Sequence, residues 1–425
     1  MPPSGFRLLA IAVSIWLIAL LSRVQDRSWV SPASLFALIW AAYMPTLLFF
    51  VPDAGLYIPG MLWILASVAA TWAGSLVAGA LMPSLPSRRV VANPRAVDML
   101  RQLVRWPIVA GLADALWLFA QRGFSFSNVF SFSALMLVSA ANRGEQYAGE
   151  ADTPVLERFA FTALYLGALY GGLLFRLSDR QRDKILGFSA LLVIILINTL
   201  HGSRFGSIYG GAFWLSAYLA GHVALADPKE GVGSGFLVKF GTSAVVIVFV
   251  FSMVTMTIRY TVLSDANDIP VAWSYMLTDP FGFIAAFGVW FRESGMHPDG
   301  PLWGARVFRR IAAFWGSEYP LYDVVDVGFN SANVFTIFRE LIEDYTLYGS
   351  LVVLAVYGFM ARMGFSLTMR DDSRTALPWL ALAYAFAFTS VASSAFAYTT
   401  VLVGALVFVA TFMVLPRVAI PAGEE

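Results

Sequence analysis

The sequence predicts an all-α, polytopic integral membrane protein with about 11 transmembrane helices. Three observations lead there. The 425-residue chain is 59% hydrophobic and 13% charged, whereas soluble domains carry about one-quarter charged residues. Its apolar residues gather into repeated runs, each close to the roughly 20 residues that a helix needs to cross the hydrocarbon core. Lipid offers no partner to an exposed N–H or C=O, so such runs must be helices. The chain 1–425 reads as a single membrane domain, with one large loop at 259–345.

The first run, 6–22, imitates a signal peptide. It lacks an A-x-A-like end and carries little basic charge at its start, so it is expected to be a retained span. The runs 29–51, 58–82, 104–120, 155–175, 185–200, 206–224 and 237–258 follow, then 346–365, 377–395 and 398–415. Pro32, Pro45, Gly74, Gly210 and Gly211 are tolerable inside membrane helices. The basic connections are 83–105 (Arg88, Arg89, Arg95, Arg101, Arg105), 176–184 and 362–374. Placing them in the cytoplasm obeys the positive-inside rule and puts the N-terminus outside and the C-terminus inside. The short, serine-rich segment 126–141 reads as re-entrant. As a span it would make twelve helices, with both termini inside and the five arginines of 83–105 outside.

The loop 259–345 holds 87 residues, 18 of them aromatic. That is too apolar for a solvated linker. Short in-plane helices on the membrane, near 280–292 and 302–315, fit better.

The cations are unevenly placed. There are 25 Arg and only 3 Lys, and Lys184, Lys229 and Lys239 all fall on the cytoplasmic side of this threading. The external side carries Arg143, Arg204, Arg259, Arg292, Arg306, Arg309, Arg310 and Arg339. Arg grips phosphate or carboxylate with a planar fork that Lys lacks, which points to an anionic substrate at the outer leaflet. A net charge of +1 with no long Lys/Arg block gives no ground for nucleic-acid binding. With no Cys there are no disulfides and no thiolate chemistry. His201, His222 and His297 are far apart, and no P-loop or H-E-x-x-H is present, so neither a metal nor a cofactor is expected.

Three constellations could carry chemistry. In the turn HGSRFGS, His201–Ser207, Arg204 sits at the mouth of a helix hairpin and His201 is a candidate base. In the large loop the arginines are accompanied by eleven carboxylates, so some must be paired structurally. Third, Asn333, Thr336, Glu340 and Asp344 share one helical face. Two acids four residues apart destabilise a helix unless a cation lies between them or one keeps its proton. Asp344 lies nearer the apolar span and is the expected base, with Glu340 its electrostatic partner and Glu293 the next candidate. Glu343 is expected to pair with Arg339. Asp114, alone among carboxylates near a span centre, reads as a hydrogen-bonded bundle residue.

The large loop followed by N-V-F-T and then D-Y with a later Gly (Asn333–Gly349) resembles the bacterial oligosaccharide repeat-unit polymerases, the O-antigen polymerase family. Gly202-Ser203-Arg204 and Arg143 in AANRGEQY resemble further features of it. The resemblance implies a glycosyltransferase facing the periplasm from the bacterial inner membrane. It implies polyprenyl-diphosphate-linked oligosaccharides as substrates, no cofactor, and a chain-length regulator protein as a partner beside the lipid bilayer. The alternatives are an O-antigen ligase, and a flippase or exporter of lipid-linked saccharide.

Overall fold

The computed structural model describes residues 3–50, 57–82, 90–125, 127–128, 131–148, 155–226, 282–295, 301–314, 325–327, 331–332, 334–370 and 375–421. The expected span 237–258 lies outside the described residues, as do Arg259 and Asn333.

The described chain is overwhelmingly helical. Its helices are α1 (Pro3–Asp26), α2 (Pro32–Phe50), α3 (Ile58–Leu81), α4 (Pro94–Gln121), α5 (Phe132–Ala148), α6 (Val155–Leu177), α7 (Gln181–Leu200) and α8 (Arg204–Ala224). They continue with α9 (282–290, running into a π turn at Phe291–Gly295), α10 (Arg309–Phe314), α11 (Ile337–Met369), α12 (Ala376–Thr389) and α13 (Thr399–Val414). Among the described residues six helices are long and apolar enough to cross a membrane, and four shorter ones are apolar. Their outward faces carry large apolar side chains, among them Trp106, Val352, Leu406 and Val414. Such a surface is expected against lipid rather than water. The described residues are those of a predominantly helical, membrane-embedded protein.

Local signals explain the ends. Pro32 and Pro94 open α2 and α4, where a missing N–H costs nothing. The Asn93 side chain caps α4 through the Arg95 amide at 3.0 Å. The last carbonyls of α7 lack helical partners. Ser139 donates to Thr199 O at 2.7 Å and Asn142 donates to Leu200 O at 3.0 Å, so α5 docks on the end of α7.

The core forms two packed regions. One joins α4, α6, α7, α8, α12 and α13, and the other joins α1, α2, α3, α9 and α11. Helix α12 connects them: Tyr384 donates to Val30 O, and Ala383 O accepts from Tyr357 at 2.8 Å. Helices α3 and α11 approach backbone to backbone. A Cβ on Gly74 would collide with the Ala355 carbonyl, and one on Gly358 with the Thr71 carbonyl, the small-residue packing common between membrane helices.

The structure adds to two expectations. Helix α9 packs into the protein core. Ile284, Ala286, Phe287 and Phe291 are buried, and Phe287 packs on Phe338 of α11. Helix α11 joins the helical face of Glu340 and Asp344 to the apolar run expected from 346, with a break at Thr346 (φ 67°, ψ 174°). Beyond the break, Thr346 Oγ1 accepts from Gly349 N and caps the next turn. The part after the break alone exceeds the roughly 20 residues needed to cross, so 337–345 is not needed for a crossing.

Two short strands, β1 (Val90–Ala92) and β4 (Ala419–Pro421), pair antiparallel with Val91 opposite Ile420. A second ladder joins β2 (Val325–Asp326) and β3 (Ser331–Ala332).

Candidate active site

The site is built on residues 337–345 of α11. Apolar Ile337, Phe338, Leu341 and Ile342 bury this segment, and the burial carries Glu340 and Asp344 inward with it, 4% and 0% exposed. Among the described residues, no ion pair is shown to either of the two acids. Each takes backbone amides instead. Asp344 accepts from Arg306 N and Val307 N, both at 2.8 Å, one on each oxygen. Glu340 Oε2 accepts from Ser394 N at 2.9 Å. Ser394 lies in the turn between α12 and α13. Buried Tyr209 steadies that turn by donating to Ser393 O at 3.1 Å.

Burial disfavours the charged form of both acids. The Glu340 carboxyl is pushed up to about 8 by burial, partly offset by the Ser394 amide, with Asp344 and Glu343 adding to the rise and Arg306 opposing it. Asp344 is pushed up to about 6, again by burial, against the pull of its two amides. Burial thus favours a retained proton on Glu340, the second of the two arrangements that relieve an i,i+4 acidic pair.

Glu343 points to the cations. Arg339 Nε is 2.8 Å from its Oε1, and Arg306 Nε is 2.8 Å from its Oε2. The Arg339 guanidinium also lies over Phe335 at 4.0 Å and Trp290 at 5.1 Å. The segment 302–308 is tied to this helix by Leu302 N to Glu343 O at 3.1 Å and Trp303 N to Asp344 O at 2.9 Å. Trp303 and Gly304 both have positive φ, 52° and 88°. That is costly for a Trp, and the double cap from Asp344 helps hold it.

The remaining expected residues fall as follows. Thr336 is the N-cap of α11 and is buried, and of the expected stripe Glu340 and Asp344 lie within the helix. Arg292 and Glu293 are exposed and pair with each other at 3.1 Å. Arg309 opens α10. Arg143 lies in α5, Arg310 in α10, and Arg204 is the first residue of α8, where Ser203 Oγ caps Gly206 N; the side chains of all three lie outside the described residues. His201 ends α7, beside Asp114 and Glu157. The sequence reading missed Ser394 and the amides of 306–307, which no motif marks, and Glu157, whose only signal was an acid in the first turn of its helix.

No family model, curated protein or solved structure matches this chain.

Proposed function

We propose that the chain polymerises lipid-linked oligosaccharide repeat units at the outer leaflet of the bacterial inner membrane. The growing glycan is transferred en bloc from a polyprenyl diphosphate to a sugar hydroxyl of the incoming unit. The observation that carries this reading is Glu340. It is a buried carboxyl raised to about 8, one turn from the Arg306–Glu343–Arg339 network, where the large loop folds back on the start of a span. A base works best when its pKa lies near the operating pH.

In this mechanism the acceptor hydroxyl oxygen attacks the anomeric carbon of the donor and its proton passes to Glu340. The bond from that carbon to the diphosphate breaks, and its electron pair leaves with the diphosphate. Fixed guanidinium groups stabilise the charge that develops there. Asp344 anchors the loop, because both of its oxygens already hold amides. This reverses the roles expected from sequence, where Asp344 was the base.

Sidedness is supported by β1 and β4. Paired strands lie on one side of a membrane, so the chain between them crosses an even number of times. The eleven-span reading, counting 237–258, has eight crossings there, whereas a spanning 126–141 would make nine. Asp26 pairs with Arg362 at 2.9 Å and Arg101 with Asp183 at 2.6 Å, and all four fall on the cytoplasmic side of the eleven-span threading. Residues 337–345 then face the periplasm.

The test is a reconstituted assay with a purified polyprenyl-diphosphate-linked repeat unit. A polymerase gives a ladder of lipid-linked products. A ligase moves glycan only onto an added lipid A core acceptor, and a flippase forms no bond.

A further inference from the structure

Three helices bring titratable side chains to one point. Asp114 lies on α4, Glu157 in the first turn of α6, and His201 at the end of α7. His201 Nδ1 is 3.2 Å from Glu157 Oε1, and His201 Nε2 is 3.6 Å from Asp114 Oδ2. The His201 and Asp114 side chains are each 6% exposed, and Glu157 is 18% exposed. His201 Nε2 and Asp114 Oδ2 are both buried without a hydrogen-bond partner among the described residues. Buried polar atoms left this way are costly and in native proteins call for a role or a water. Here they face each other across a gap that one water, or a small movement of the ring, would close.

The surroundings hold the imidazole in place. Phe161 packs against it, ring centroids 4.9 Å apart. Ser139 and Asn142 fix the turn before it through Thr199 and Leu200. The other charges facing the group are Arg158 of α6, which acts on Glu157, and Arg122 at the end of α4, bonded to Asn142 of α5 at 2.7 Å. Arg143 of α5 and Arg204 of α8 also lie on adjoining elements, with side chains outside the described residues.

We propose that Asp114, His201 and Glu157 form a proton-relay site. Its ligand is a proton taken up at Glu157, the most exposed of the three, and passed inward. Glu157 gives its proton to Nδ1 while Nε2 gives its own to Asp114 Oδ2, directly after the ring closes or through one water. The imidazole ends as its other tautomer, Glu157 is left as carboxylate and Asp114 becomes a neutral acid. One proton has moved and no other reactant is needed. Imidazole suits this task because its two nitrogens can donate and accept at once. The inner end, Asp114, lies seven residues before the end of α4, about 10 Å at 1.5 Å per residue. The relay stands independently of the glycosyltransferase reading.

The test is infrared difference spectroscopy of the full-length protein in detergent micelles, stepped from acid to alkaline pH. The wild type is expected to lose a protonated-carboxyl carbonyl band together with a change in the imidazole bands. Asp114→Asn should remove that carboxyl band. After a rapid pH jump, His201→Gln should slow the Asp114 response while Glu157 still responds. An unchanged difference spectrum in Asp114→Asn, or an Asp114 response as fast in His201→Gln as in the wild type, would overturn the relay. Isotope-labelled histidine in the wild type keeps the test independent of the variants' folding: His201 imidazole bands, assigned by their loss in any folded variant or by the shielding of this buried ring from exchange, that do not move with pH contradict it.

Discussion

Ser394 donates its backbone N–H to Oε2 of Glu340 at 2.9 Å, across 54 residues of sequence. The bond joins the turn after α12 to the first turn of α11 and fixes the buried carboxyl. Gln at position 340 can keep this bond through its carbonyl oxygen, so the carboxyl's acid–base role can be separated from its structural one.

Asp344 can be separated in the same way. In Asp344→Asn only one of the two amides, Arg306 N or Val307 N, keeps an acceptor. A buried amide left unpaired costs about 1–3 kcal/mol. Hydrogen exchange should rise across 302–308 and thermal stability should fall, while the pH dependence of chain extension keeps its shape. Unchanged exchange in that segment would show that the cap does not anchor the loop.

The helices were legible because apolar runs of membrane length leave few alternatives, and the shared face of Glu340 and Asp344 followed from helical period. The Arg339–Glu343 pair, four residues apart, is present at 2.8 Å. What period does not encode is which distant backbone fills a side chain's lone pairs. Asp344 looked like a free base because the amides that occupy it come from residues 37 and 38 positions away. Asp114 looked solitary for the same reason, since His201 and Glu157 reach it from other helices. The burial of α9 was hidden because its aromatics suit a membrane interface as well as a protein core.

Stability should depend on pH through the same two acids. Their folded-state values are raised to about 6 for Asp344 and about 8 for Glu340. A raised carboxyl favours the folded state while it is neutral. Its contribution is therefore full below the ordinary carboxylate range and is lost as pH rises through the folded value. The melting temperature in detergent should fall from mildly acid pH to above 8, and Glu340→Gln should flatten the upper part of the fall. A melting temperature that climbs over this range would contradict the shifts.

The pairing of β1 with β4 can be trapped. The chain has no Cys, so Val91→Cys with Ile420→Cys gives a clean pair at opposed positions. Oxidation should form an intramolecular cross-link in the double variant. A membrane-impermeant thiol reagent applied from the periplasmic side should not prevent it. Blocking from that side would reverse the assigned topology.

Arg204 opens α8 beside the His201 turn. Arg204→Lys keeps charge and loses the bidentate fork. Loss of one such donor should cost about 2–4 kcal/mol of transition-state stabilisation, read as a fall in kcat at normal expression. Near-normal polymer length would reduce Arg204 to a charge or topology signal.

The most direct test of Glu340 as base is the pH–rate profile of chain extension on a purified lipid-linked repeat unit. In the wild type the rate should rise about tenfold per pH unit below its folded value of about 8 and level off above it. Glu340→Gln, inserted normally, should lose that rise and about a hundredfold or more of the rate. A wild-type rate independent of pH across this range, or a Glu340→Gln enzyme that follows the wild-type profile, would contradict the assignment.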